Sequence, residues 1–353
     1  MNRTEWEQKY QEQCYVPVTR EYMEALFEAV TKRAEEIHKE IYGQVDAFFQ
    51  NLYMLQQNKK LDQIQTVSIS FPYTSVVCGS PCLKFAVYPD YPFLDDAVIE
   101  QEFSVSWLFT GWDDYLDRLY DKAADAGMST VIRKPYVKSQ AWGIARIILK
   151  LMSTTMKYHL YGLDEMGAYQ KLEKASGFKL YFGEYMDWQR IIFALPDDVD
   201  IFNCDEETDL QFCRFERAWY EDKVFDHLDL DDCRFYECTF KDCQFLESSF
   251  RDARFLGCSF LNCHLDGLKL SGSRFDGCKF EDSTMQNIQT NRSSGTTEVW
   301  LGLQGMTEFI GCLLQKTKLK NSDFTAGYFR NCQIKDAQTE ACELPDSFFD
   351  CIS

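Results

Sequence analysis

Asp113, Asp114 and Asp117 place three carboxylates along one face of a predicted helix, a set of hard oxygen ligands able to hold magnesium and a diphosphate. No second aspartate-rich helix answers them, so we read the acids as a solvated helix start that suits the helix dipole. Cys78 and Cys82 flank a Gly79-Ser80-Pro81 turn, the spacing of half a metal site or a redox pair, yet no second cluster accompanies them. The four histidines, His38, His159, His227 and His264, neighbour no obvious nucleophile or carboxylate dyad, and no phosphate-cradling glycine loop is present. We therefore expect no metal, no cofactor and no catalytic residue.

Arginine is the residue whose spacing carries information. Arg214, Arg234, Arg254 and Arg274 stand twenty residues apart. They belong to a segment with an internal period of five, which makes twenty a whole number of repeats. From Phe215 a large apolar residue recurs every fifth position through Tyr220, Phe225, Leu230, Phe235 and onward to Met285. Two residues before most of these stands a small one, such as Cys213, Cys233, Cys238, Ser248, Ala253, Cys258 or Cys278. The run breaks and resumes one residue out of phase at Leu314, Leu319, Phe324, Phe329, Ile334, Leu344 and Phe349.

A period of five fits neither a helix nor a flat strand. An offset of two puts both residues on one side of an extended segment, so each pentapeptide turns one large and one small residue inward and then rounds a corner. On these residues the segment resembles the pentapeptide-repeat family. The resemblance covers Leu210–Met285 and Phe309–Phe349, about twenty-two units, and implies a right-handed, four-sided β-helix with four pentapeptides per coil. One departure stands out: Asp or Asn sits just before the small residue, as in Asp232, Asp242, Asp252, Asn262 and Asp282. Ten of the fifteen cysteines occupy the small position, where they serve as buried wall packing.

With four repeats per coil, the four arginines stack in a column at the strand spacing of ~4.8 Å. Asp232 and Asp252 at the preceding corners, with Glu216 and Asp276 on the same wall, make a self-compensated ladder one reading. A groove for an acidic or phosphorylated partner is the other. Trp300 marks a second candidate surface, in a loop near 291–308 that either extrudes from the rod or folds back on its wall.

The elements ahead of the repeat follow other periods. Apolar residues at three-four spacing from Met23 to Leu55 predict one long amphipathic helix, with Thr19 as N-cap and a break near Gly43. Its near-heptad stripe suits either a homodimer or packing across strands of its own chain. Val67–Val77, Leu83–Tyr88 and Glu102–Phe109 read as strands, and Asp113–Ala124 and Lys138–Tyr161 as helices. The organisation is thus a mainly helical α/β domain at 1–195, an acidic joint or cap at 196–209, and the solenoid at 210–353.

A net charge of -19 argues against direct binding to nucleic acid or anionic membrane. Met1–Tyr15 is polar where a signal peptide would be apolar, and Ala141–Met152 is too short and too charged to span a bilayer, so we expect a cytoplasmic protein. A protein–protein interaction scaffold with an unknown protein partner is the leading expectation. Inhibition or protection of a type II topoisomerase by DNA mimicry, which the resemblance allows, and an enzyme within the N-terminal domain are the alternatives.

Overall fold

The computed structural model describes residues 3–92, 94, 96–160, 162–195, 199–204, 208–290 and 306–352. They fall into two compact units, Met1–Ala194 and Leu195–Ser353.

The first unit opens with α1 (Arg3–Tyr10) and a π-helical turn, Gln11–Tyr15, that runs into α2 (Val16–Lys32) and α3 (Ala34–Gln57). The predicted long helix is broken at Arg33 (φ -107°, ψ 15°), not at Gly43. Gly43 stays helical because its neighbours Ile41 and Val45 are buried, and packing outweighs the ~1 kcal/mol that glycine costs in a helix. Thr19 is no cap. It lies inside α2, and its hydroxyl is 2.9 Å from Tyr115 Oη.

A five-stranded sheet of order β3-β2-β1-β4-β5 follows, formed by Ile64–Phe71, Cys82–Tyr88, Ile99–Ser104, Lys174–Glu184 and Gln189–Ala194 as β1 to β5. β1 and β4 are parallel and the other pairs antiparallel. The strand predicted over Val67–Val77 stops at Phe71, because Pro72 withdraws a donor, and Tyr73–Val77 forms the short helix α4. The third predicted strand likewise ends at Ser104, ahead of a 3-10 turn over Ser106–Phe109. α5 (Trp112–Asp125) and α6 (Lys134–His159) lie close to their predicted spans. A short helix, α7 (Gly167–Lys171), precedes β4.

Neither β4 nor β5 was predicted. β4 is buried on both faces from Leu180 to Glu184, so its sequence lacks the alternation that marks a one-sided strand. The stripe of α3 is covered within the unit, with Phe48 meeting Phe85 of β2 at 5.4 Å. No helix among the described residues is long and apolar enough to cross a membrane.

The second unit is a four-sided solenoid. Three walls are six-stranded parallel sheets, and the fourth is held by single bridges from Asp229 through Ser249, Lys269, Gln289 and Asp323 to Glu343. Central residues point inward and stack coil on coil. Phe235, Phe255 and Phe275 lie 4.7 and 4.6 Å apart, nearly parallel.

The corners explain the acidic departure. Asp232, Asp242, Asp252, Asn262 and Asp282 all have φ between 51° and 63°, the left-handed region that Asp and Asn tolerate best among residues with a side chain. Where the sequence changes phase the coil does not break. Arg274 pairs with Glu308 and Phe280 with Leu314, so the strands on either side of the phase change stay in register.

Both ends of this unit are closed by aromatic side chains. Phe202 meets Phe225 at 5.0 Å and Tyr220 at 5.7 Å, and Ile201 is buried beside them. At the far end Phe348, not Phe349, turns inward against Phe329 at 5.2 Å. The period fails there because Asp346–Phe349 is a helical turn after Pro345, which rotates Phe349 outward.

Candidate interaction surface

Each strand of the first wall points its centre inward and its two flanks outward, which creates two parallel outer columns. In one column Arg214, Arg234, Arg254 and Arg274 are consecutive cross-strand partners, continued by Glu308 and Tyr328. The other runs Glu216, Tyr236, Leu256, Asp276, Ile310 and Arg330. The predicted column of four arginines is therefore real geometry, with aromatic and aliphatic side chains beside it. The spacing that reveals the arginines reveals this second column too, one step along each repeat.

Both ends of the arginine column carry ion pairs. Arg214 pairs with Glu216 and lies 4.7 Å over the ring of Tyr236. Arg274 bridges Asp276 at 2.8 Å and Glu308 at 3.4 Å. Arg234 and Arg254 between them are half-buried. Long side chains behave so when their stems cover apolar surface. Leu256 (47% exposed) and Tyr328 (40%) present apolar area on the same wall. Arginine and tyrosine are side chains enriched at protein-binding hot spots.

Trp300 and residues 291–305 of the predicted loop lie outside the described residues. The residues described on either side of that stretch follow the Gln289 bridge of the fourth wall and precede the Thr307–Ile310 strand of the first. A different tryptophan, Trp219, is 60% exposed at the start of the second wall, where the repeat pattern marks only an outward flank.

The other sequence candidates separate. Asp113, Asp114 and Asp117 are exposed on α5 because Trp112, Tyr115 and Leu119 take its buried side. Cys78 is exposed and Cys82 half-buried. His227 Nδ1 is 2.6 Å from Asp226, and His264 is 3.7 Å from Asp266, both on outer walls.

In the first unit Arg146 of α6 reaches Glu184, at the end of β4, at 3.7 Å and lies 5.7 Å from the ring of Tyr73. Burial pushes the Glu184 carboxyl up, against the pull of Arg146. This cluster sits where the parallel strands β1 and β4 end. No sequence motif announces it, since the strand that carries Glu184 is not legible.

A family model described as pentapeptide repeats (9 copies) matches residues 240–284. A comparison with curated protein sequences returns no match. Several solved structures are similar. Rfr23, a pentapeptide repeat protein from the cyanobacterium Cyanothece 51142, is 10% identical over 39% of this chain and 87% of its own, with a TM-score of 0.20. HetL, a pentapeptide repeat protein involved in heterocyst differentiation regulation from the cyanobacterium Nostoc sp. strain PCC 7120, is 9% identical over 39% and 87%, with a TM-score of 0.13. Full-length QnrB1, a plasmid-mediated fluoroquinolone resistance protein, is 14% identical over 40% and 90%, with a TM-score of 0.15. The matched repeats and the four-sided coil, and not these likenesses, carry the family of this part of the chain. The C-terminal part of the chain is a pentapeptide-repeat solenoid.

Proposed function

We propose that the protein is a non-enzymatic protein–protein interaction scaffold whose working surface is the first wall of the solenoid, with the N-terminal unit coupling that wall to a further component. The observation that carries this reading is the double column, in which Arg234 and Arg254 lie beside Tyr236 and Leu256. A rigid parallel sheet offers such a surface at little ordering cost. The partner has an acidic face, since guanidinium forks engage carboxylates in bidentate fashion. The solenoid walls carry both signs, for instance Lys241 with Glu221 and Lys279 with Glu281, which favours this reading over mimicry of DNA.

The test is capture of partners by wild-type protein and by the double variant Arg234→Glu/Arg254→Glu. The variant is expected to lose the partner while keeping its circular dichroism and cooperative melting, with only a small loss of stability, because surface pairs contribute only ~0–1 kcal/mol. Capture at wild-type strength would exclude this wall as the interface. A supercoiling assay with a type II topoisomerase, expected to show no effect, tests the rival.

A further inference from the structure

Outside the solenoid, the first unit carries a cleft that none of the foregoing uses. Its volume is about 560 Å³, and it is lined by Arg3, Trp6, Thr130, Val131, Arg133, Pro135 and Tyr136. That size is within the range of small-molecule sites. Two helical stripes build it. Arg3, Trp6 and Tyr10 share one face of α1 by their three-four spacing, and Arg133, Tyr136 and Gln140 follow the same spacing into α6.

Toward the end of α1 the stripes are tied together. Tyr10 meets Tyr136 edge-on at 5.7 Å, Gln11 Nε2 donates to Gln140 Oε1 at 2.8 Å, and Tyr15 Oη donates to the Gln140 carbonyl at 3.2 Å. The π-helical turn Gln11–Tyr15 supplies the last two ties. Toward the start of both helices the stripes bound the cleft.

Its chemistry runs against that of the chain. The protein has 56 acidic and 37 basic residues, yet among the described residues two guanidinium groups and no carboxylate line this cleft. Glu7, whose charge also bears on Tyr136, accepts from Arg3 Nε at 2.8 Å. Lys9, outside the lining, holds its Nζ 5.2 Å from the Trp6 ring. Arg133 makes no ion pair among the described residues and is exposed. The rest of the lining is an indole, a phenol and the exposed side chains of Thr130, Val131 and Pro135.

We propose that this cleft binds a small aromatic anion, a flat ring carrying a phosphate. Arg133 and Arg3 engage the phosphate, Trp6 and Tyr136 pack on the ring, and Thr130 lies within the lining to bond a ring substituent. Guanidinium forks match phosphate oxygens in geometry, and aromatic side chains stack on any heterocycle. The first turn of the long helix α6 adds field of the same sign. This inference is independent of the solenoid's role.

Calorimetric titration of the full chain tests it, with AMP, adenosine and free phosphotyrosine as probes. AMP or phosphotyrosine is expected to bind saturably, and the tighter of the two tells whether the natural ring is a nucleobase or a phenol. Adenosine, lacking the charge, should bind about tenfold more weakly or worse, the scale of one charge-assisted contact. Arg133→Glu and Trp6→Ala should each weaken the tighter probe about tenfold. Arg133→Glu is exposed and should melt as wild type, which separates lost binding from lost fold. Absence of saturable binding by either phosphorylated probe, or equal binding by both variants and wild type, would overturn the proposal.

Discussion

The small inward position does more than save space. Cys238, Cys258, Cys278 and Cys312 each direct the thiol 3.3 Å from a Phe carbonyl in the coil below, at Phe215, Phe235, Phe255 and Phe275. Ser283 and Thr317 do the same to Phe260 and Phe280 at 3.1 and 3.2 Å. A weak donor therefore recurs where a carbonyl needs a second partner, which is why Cys, Ser and Thr alternate there. Burial drives the Cys233 and Cys278 thiols well up, so they remain protonated and unreactive. Nine of the ten wall cysteines and Cys14 are buried; Cys342, the exception on the last coil, is half-buried, as are Cys82, Cys204 and Cys351, and Cys78 is exposed. A thiol reagent on native protein at pH 8 should therefore find no more than five fast-reacting groups, and all fifteen after unfolding. A larger fast count would mean that the walls open. Phe255, stacked between Phe235 and Phe275 and 3% exposed, tests the axis. Its replacement by alanine should cost ~3–5 kcal/mol by thermal or denaturant unfolding. A melting temperature close to wild type would contradict the filled axis.

At the scale of elements, the insertion is the informative feature. Successive coils place partners twenty residues apart, as Arg254 and Arg274, but thirty-four separate Arg274 from Glu308. Fourteen residues are therefore surplus to the coil. Deleting residues 291–304 should leave a folded solenoid whose melting temperature stays within a few degrees, because the ring stack Phe275–Phe309 at 4.9 Å needs none of them. Loss of cooperative unfolding would show that the insertion is structural. The same arithmetic explains what was legible. A repeat that returns to one wall every twenty residues writes its core, corners and outer columns directly into the sequence. The first unit has no such redundancy. Its β4 is buried on both faces from Leu180 onward, its helix break depends on Arg33 rather than on a glycine, and Glu184 meets Arg146 only through tertiary packing. The arginine wall could be read from spacing. How deeply Arg234 and Arg254 are buried could not, because rotamers leave no period.

On the scale of the whole molecule, a net charge of -19 repels acidic partners at long range, while the first wall attracts them locally. Binding by this wall should consequently be oriented and should weaken as salt screens it, over a Debye length of ~8–10 Å. The most direct measurement is site-specific photo-crosslinking in the intact protein, with the probe at Leu256 on the first wall or at Gln244 on the opposite one. Crosslinks to a single partner from position 256, and none from position 244, are the predicted result. Crosslinks from position 244 alone, or equally from both walls, would contradict the first wall as the working surface.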